Sequence, residues 1–290
     1  CRAETRRDRH VRGIEHHGDR LMFGWGLKFA AQTIGGFARA FDPASMFTPT
    51  TPGWVYNLSD FSTLYQDSAG TIPVTAAGQP VGLMLDLSGN GNHASQPTAG
   101  KRPILQESGG KYSLKFDGVD DFMSTAAIDF SGTDKLSAWV GVQANSDGFS
   151  YIWSLGDSPN TSAGAALVRG FATIGEYGTY LYGTALNYRN STAYSAVDTS
   201  VITQALDISG VTDADEIAMQ RNGAPVSYSS GGGLAGTGSL PNAPIYLASA
   251  NGANVFLGNL YSSVCLGRAA TADELTKTQA WVAEKTGVTL

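Results

Sequence analysis

The chain has 290 residues, of which 42% are hydrophobic and 15% charged, with 36 glycines. That balance excludes a disordered or low-complexity chain and suits one large, turn-rich domain with room for a sizeable core. A formal charge of −6 gives no general attraction to nucleic acid or anionic lipid, which need a basic face, and no apolar run reaches the roughly eighteen residues of a bilayer span.

The chain opens on Cys1, and residues 1–21 are rich in arginine and histidine, including His10, His16 and His17. A processed or truncated start is the first reading of this stretch, an upstream extension of a frame beginning at Met22 the second, and a lipid-bearing Cys1 the third. Over 22–47, apolar residues recur every three or four positions, from Phe23 and Leu27 through Ile34 to Phe41, although Gly35 and Gly36 weaken the helix. This stretch reads either as a short docking segment or as a loosely packed leader. TPTTP at 48–52 reads as a linker, so 1–53 is expected as an extension and 54–290 as the main domain.

From Trp54 onward, short β-like runs are punctuated by glycine, asparagine and aspartate at sandwich spacing. Leu114 and Phe116 precede an Asp117–Gly118 turn. Leu136, Ala138, Val140 and Val142 alternate with Ser137, Trp139, Gly141 and Gln143, giving one strand an aliphatic face and a face that carries the tryptophan. Further strands are predicted at 150–155, 165–174, 179–187, 201–208, 215–221, 244–249 and 254–266. Asn222 and Gly223 mark a tight hairpin, and 229–240 reads as a flexible, glycine-rich loop. Cys265, with Leu260, Val264 and Leu266 around it, reads as a buried thiol outside any disulfide. A final helix is signalled by a Thr271/Glu274 capping box, an apolar stripe through Leu275 and Val282 beside Trp281, and a closing Gly287.

Three segments, in order, resemble the LamG-like, concanavalin A-like jelly-roll family: DLSGNGNHA at 86–94, LKFDGVDDFM at 114–123, and the closing stretch 256–288. The resemblance covers about 200 residues, with one departure at Leu87, where a charged residue is more usual. It implies an all-β, LamG-type jelly-roll β-sandwich with a short C-terminal helix, to which the spacing of 22–47 adds an N-terminal extended or helical anchor segment. The segment 55–96 resembles the opening of LamG-like proteins encoded mostly by bacteriophages and prophages, which implies a virion protein.

Three chemistries are weighed on this frame. Asp86, Ser88, Asn90 and Gly91 repeat the alternating oxygen donors that begin calcium loops, but Pro97 stands where the distal acid belongs. A calcium site would therefore borrow Asp117, Asp120 or Asp121; the simpler account is a set of Asx turns. Glycan binding uses aromatic rings stacked on sugar faces with polar groups beside them. The stretch 177–194 supplies Tyr177, Tyr180, Tyr182, Asn187, Tyr188, Arg189, Asn190 and Tyr194, whose polar neighbours point to exposed tips. Trp139 and Trp153 are read first as core, with Trp153 kept as a glycan candidate. Hydrolysis has no support: Glu-x-Asp-x-x-Glu, Gly-x-Ser-x-Gly, His-Glu-x-x-His and paired Cys-x-x-Cys are missing, and Asp213, Asp215 and Glu216 read as a solvated turn. His93, the lone histidine of the domain, reads as a turn residue.

These readings converge on a phage structural protein, a tail fibre, spike or head decoration module. Residues 1–53 would bind other virion proteins, and the jelly roll would contact host-surface polysaccharide. A purely architectural packing module is the runner-up, and a secreted glycan-active enzyme the third reading. No catalytic residue, nucleic acid, membrane or cofactor other than calcium is expected. A homo-oligomer, a trimer first, is the expected assembly.

Overall fold

The structure, a computed structural model, describes residues 40–170 and 175–290. The basic start, the expected docking segment up to residue 39 and positions 171–174 of an expected strand lie outside the described residues.

Two antiparallel sheets face each other across one core. The smaller sheet runs Ala224–Pro225, Ile217–Arg221, Asp198–Asp207, Lys135–Ala144, Leu257–Leu266, Lys111–Asp117 and Ile104–Ser108, with Gly53–Asn57 also paired to Leu257–Leu266. The larger runs Tyr228–Gly232, Leu186–Ser191, Tyr177–Tyr182, Gly164–Arg169, Ser150–Leu155, Ile245–Leu247 and on through four two-residue strands to Leu64–Tyr65. This is the predicted all-β sandwich with a short closing helix.

Strand Lys135–Ala144 shows how the sequence specifies both sides of the smaller sheet. Leu136, Ala138, Val140 and Val142 enter the core between the sheets, where Trp54, Trp153, Phe116 and Leu167 meet them. Trp139 turns the other way and is fully buried with Val55, Val201 and Val264 beneath helix Ala272–Thr286, through Val282 and Ala283. The helix is capped as predicted: Thr271 and Glu274 form the capping box and Gly287 closes it at φ 77°. Hydrogen bonding to Arg268 holds the Glu274 carboxyl down at about 2, below its ordinary range. Gly141 lets the last helical turn approach, because a Cβ there would stand 2.0 Å from Thr286 Oγ1.

Several boundaries differ from expectation. The folded unit begins at Ala40: the 3-10 turn Pro43–Met46, expected in a separate leader, buries Met46 in the cluster under the helix. Residues 48–52 therefore lie inside the unit rather than linking two bodies. The predicted strand 179–187 is a hairpin, Tyr177–Tyr182 and Leu186–Ser191. The expected loop 229–240 begins as edge strand Tyr228–Gly232. The Asn222–Gly223 turn is present with both φ values positive, 50° and 82°, and Cys265 is buried and free. Among the described residues no helix is long and apolar enough to cross a membrane.

Replacing Gly141 by valine should lower stability by about 1–3 kcal/mol through overpacking against the helix, read from urea or thermal unfolding. An unchanged midpoint would contradict the close approach.

Candidate functional site

Side chains alternate across a strand, and directly paired residues share a face, so register decides which members of 177–194 can meet a ligand. Tyr177, Thr179 and Leu181 pair with Arg169, Leu167 and Ala165 and point inward. Tyr180 pairs with Ala166 and Tyr188, and Tyr182 with Gly164 and Leu186, all on the outward face.

The inward members are structural. Tyr177 is fully buried and its hydroxyl donates to Asp198 Oδ2 at 2.9 Å; burial, then the nearby Asp198 carboxylate, pushes its phenol well up. Asp198 is ion-paired with Arg221, whose guanidinium lies 4.3 Å from the Tyr194 ring centroid. Asn187, also fully buried, donates to Glu216 Oε2 at 2.7 Å, and Ala235 N–H donates to the same oxygen. Glu216 is thus a buried anchor rather than part of a solvated turn. Arg189 lies 3.6 Å from the Tyr228 ring centroid and donates to the Ile217 carbonyl, joining the edge of one sheet to the other. Trp153 is corrected as a glycan contact: it is closed to solvent, packs edge-on against Trp54 at 6.2 Å, and donates to Gln204 Oε1 at 3.0 Å.

On the outward face Tyr180 and Tyr151, 6.3 Å apart between ring centroids, are themselves buried, with Phe149 5.3 Å beyond Tyr151. Burial and the neighbouring Tyr151 and Tyr188 phenols push the Tyr180 phenol up. Tyr182, Leu186 and Tyr188 are half-buried around this pair. Gly232 pairs with Tyr188, and the space above it is open, since a Cβ built there meets nothing within 4 Å. Asn190, also outward, is fully buried and donates to Ser230 Oγ at 3.0 Å, fixing the edge strand. Of the tyrosines expected as exposed tips, Tyr182, Tyr188 and Tyr194 are half-buried, and Tyr177 and Tyr180 are buried. Sequence reasoning missed Tyr151 and Gly232; the strand parity of 150–155 could have shown the first, while Gly232 lay hidden in a presumed loop. Across the sheet, Tyr246 donates to Asp157 Oδ1 at 2.7 Å, beside a cleft of about 350 Å³ lined by Gly156, Asp157 and Asn242.

The metal candidates separate into two groups. Both Asp86 oxygens are spent: Oδ1 accepts from Val55 N and Ser88 N, and Oδ2 from Ser88 Oγ and Asn92 N. Asn90 donates to the Thr51 and Gly53 carbonyls, and His93 Nδ1 accepts from Asp86 N, as a turn residue does. This loop clasps the first strand by Asx turns, the simpler of the two accounts of Asp86, Ser88 and Asn90. Asp117, Asp120 and Asp121 bring oxygens within 4.8 Å of one another. Burial opposes ionisation of Asp117, but N–H donors from Val119, Asp120 and Asp121 outweigh it and hold the carboxyl low. Asp121 is pushed up to about 6 by burial and by Asp117.

No family model and no curated protein matches the chain. Its structure is similar to that of botulinum neurotoxin type C, described as dependent for cell entry on interaction with two ganglioside molecules, at 9% identity and TM-score 0.51, covering 81% of this chain and 52% of that one. It is similar to Trypanosoma rangeli sialidase at 13% identity and TM-score 0.50, covering 84% and 34%. A botulinum neurotoxin serotype D ligand-binding domain in complex with N-acetylneuraminic acid matches at 10% identity and TM-score 0.50, covering 83% and 53%. The chain spans about a third to a half of those lengths, and likeness at such identity establishes a shared β-sandwich fold.

Because the folded value of Asp121 lies above the ordinary carboxylate value of about 4, its contribution to stability is fully present below pH ~4 and is lost as pH rises through about 6. The unfolding midpoint should therefore fall over that window relative to Asp121→Asn; parallel curves for the two proteins would refute the assignment.

Proposed function

We propose that residues 40–290 form a glycan-binding jelly roll displayed on a bacteriophage particle, acting by adhesion to host-surface polysaccharide rather than by bond cleavage. The observation that carries this reading is the outward face of the larger sheet, where half-open Tyr188 pairs with Gly232 beneath open space and half-open Tyr182 stands one strand further in. Rings held this way offer flat apolar surface and hydroxyls together, the combination that sugars require. Two structural neighbours, one dependent on two ganglioside molecules for cell entry and one in complex with N-acetylneuraminic acid, support a binding role for such a sandwich. Against a sialidase-like activity, the buried acids Asp198 and Glu216 are engaged as anchors by Arg221 and Asn187. The particle location rests on the phage-like character of 55–96. Many copies on one particle would convert weak single-site binding into firm attachment.

The test is a glycan array probed with the full chain coupled to beads. Tyr188→Ala, in a protein that still folds, should reduce the signal on the bound glycans by about tenfold, on the order of 1.4 kcal/mol per site. A folded chain that binds nothing, or a Tyr188→Ala signal equal to wild type, would overturn the reading. Particles lacking 40–290 should also lose adsorption to host cells.

A further inference from the structure

We infer that the ligand of this face is a neutral saccharide, built of uncharged hexose or N-acetylhexosamine units, and not a sialylated or otherwise acidic one. This deepens the glycan-binding reading and rests on it. Along Ser150–Leu155, Gly164–Arg169, Tyr177–Tyr182, Leu186–Ser191 and Tyr228–Gly232, register places tyrosine, leucine, valine, alanine, glycine, serine and asparagine at the outward positions. No lysine, arginine, aspartate or glutamate stands among them.

The two arginines of these strands both fall on inward positions, Arg169 paired with Tyr177 and Arg189 with Thr179. Both are committed elsewhere. The Arg169 guanidinium lies 4.4 Å from the Tyr177 ring centroid and donates to the Ser195 carbonyl, and Arg189 is held between Tyr228 and the Ile217 carbonyl. Of the acids bordering these strands, Asp157 accepts the Tyr246 hydroxyl and buried Glu176 accepts from Ser229 Oγ, so both are engaged within the fold.

A sugar carboxylate leaves water favourably when an arginine fork or another charged donor replaces its hydration. Here it would meet phenol rings and methyl groups, in a chain that is already acidic, so desolvation would go uncompensated. An uncharged sugar loses nothing on that account. Its C–H face can lie on Tyr182 or Tyr188, and its hydroxyls can exchange hydrogen bonds with the phenols. The N-acetylneuraminic acid of the serotype D neurotoxin complex is therefore a ligand of that protein whose chemistry this face does not match.

The experiment compares matched glycans that differ only in terminal sialic acid, immobilised and probed with the full chain on beads, before and after enzymatic desialylation. Binding at least tenfold stronger to the desialylated member, unchanged by added salt, is expected. A second variant, Gly232→Arg, places a cation where an added side chain meets no neighbour and should narrow the difference in favour of the sialylated member. Signal that disappears on desialylation would overturn the neutral assignment while leaving glycan binding standing. Absence of binding to both members by a folded chain would overturn glycan binding itself, and this inference with it.

Discussion

The alternation of side chains along Lys135–Ala144 is the constraint on which the rest of the structure depends. A strand buried on both faces must satisfy two packing problems with one sequence. Here the inward residues knit the sandwich, while Trp139 and Gly141 seat the closing helix. A slip of one residue would send Trp139 into the space between the sheets and Val140 under the helix. The helix in turn holds the turn at Pro43–Met46 and the strands beside it, so the order of the smaller sheet propagates from this one strand.

Much of that frame was legible in the sequence, because it rests on local and periodic signals. The aliphatic–aromatic alternation at 136–143, the Thr271/Glu274 capping box, the Asn222–Gly223 turn and the buried Cys265 each state their structure within a few residues. The Asx-turn account of 86–94 was likewise readable, since the hydrogen bonds from Ser88 and Asn92 to Asp86 are short-range.

What escaped the sequence was set by long-range pairing. Tyr177 and Tyr180 are three apart and so lie on opposite faces of one strand, but this parity means nothing until the hairpin between Tyr182 and Leu186 is located. A strand drawn through that turn scrambles the faces of everything after it. Glu216 resembled a solvated acid because its partners, Asn187 and Ala235, lie far from it in sequence. Trp153 could not be assigned while its contacts, Trp54 and Gln204, came from other strands.

Arg189 and Tyr188 are neighbours in the chain and serve opposite masters: one locks the edge of the larger sheet to the smaller, the other faces outward beside an open space. The same division of faces runs along Tyr177–Tyr182, where every second residue points into the core and the residues between point outward, Tyr180 buried under its neighbours and Tyr182 half-open. Binding and folding are thus written in alternate letters of the same strands. A lineage under pressure to change its target could rewrite the half-open outward positions one at a time, without renegotiating the packing beneath them.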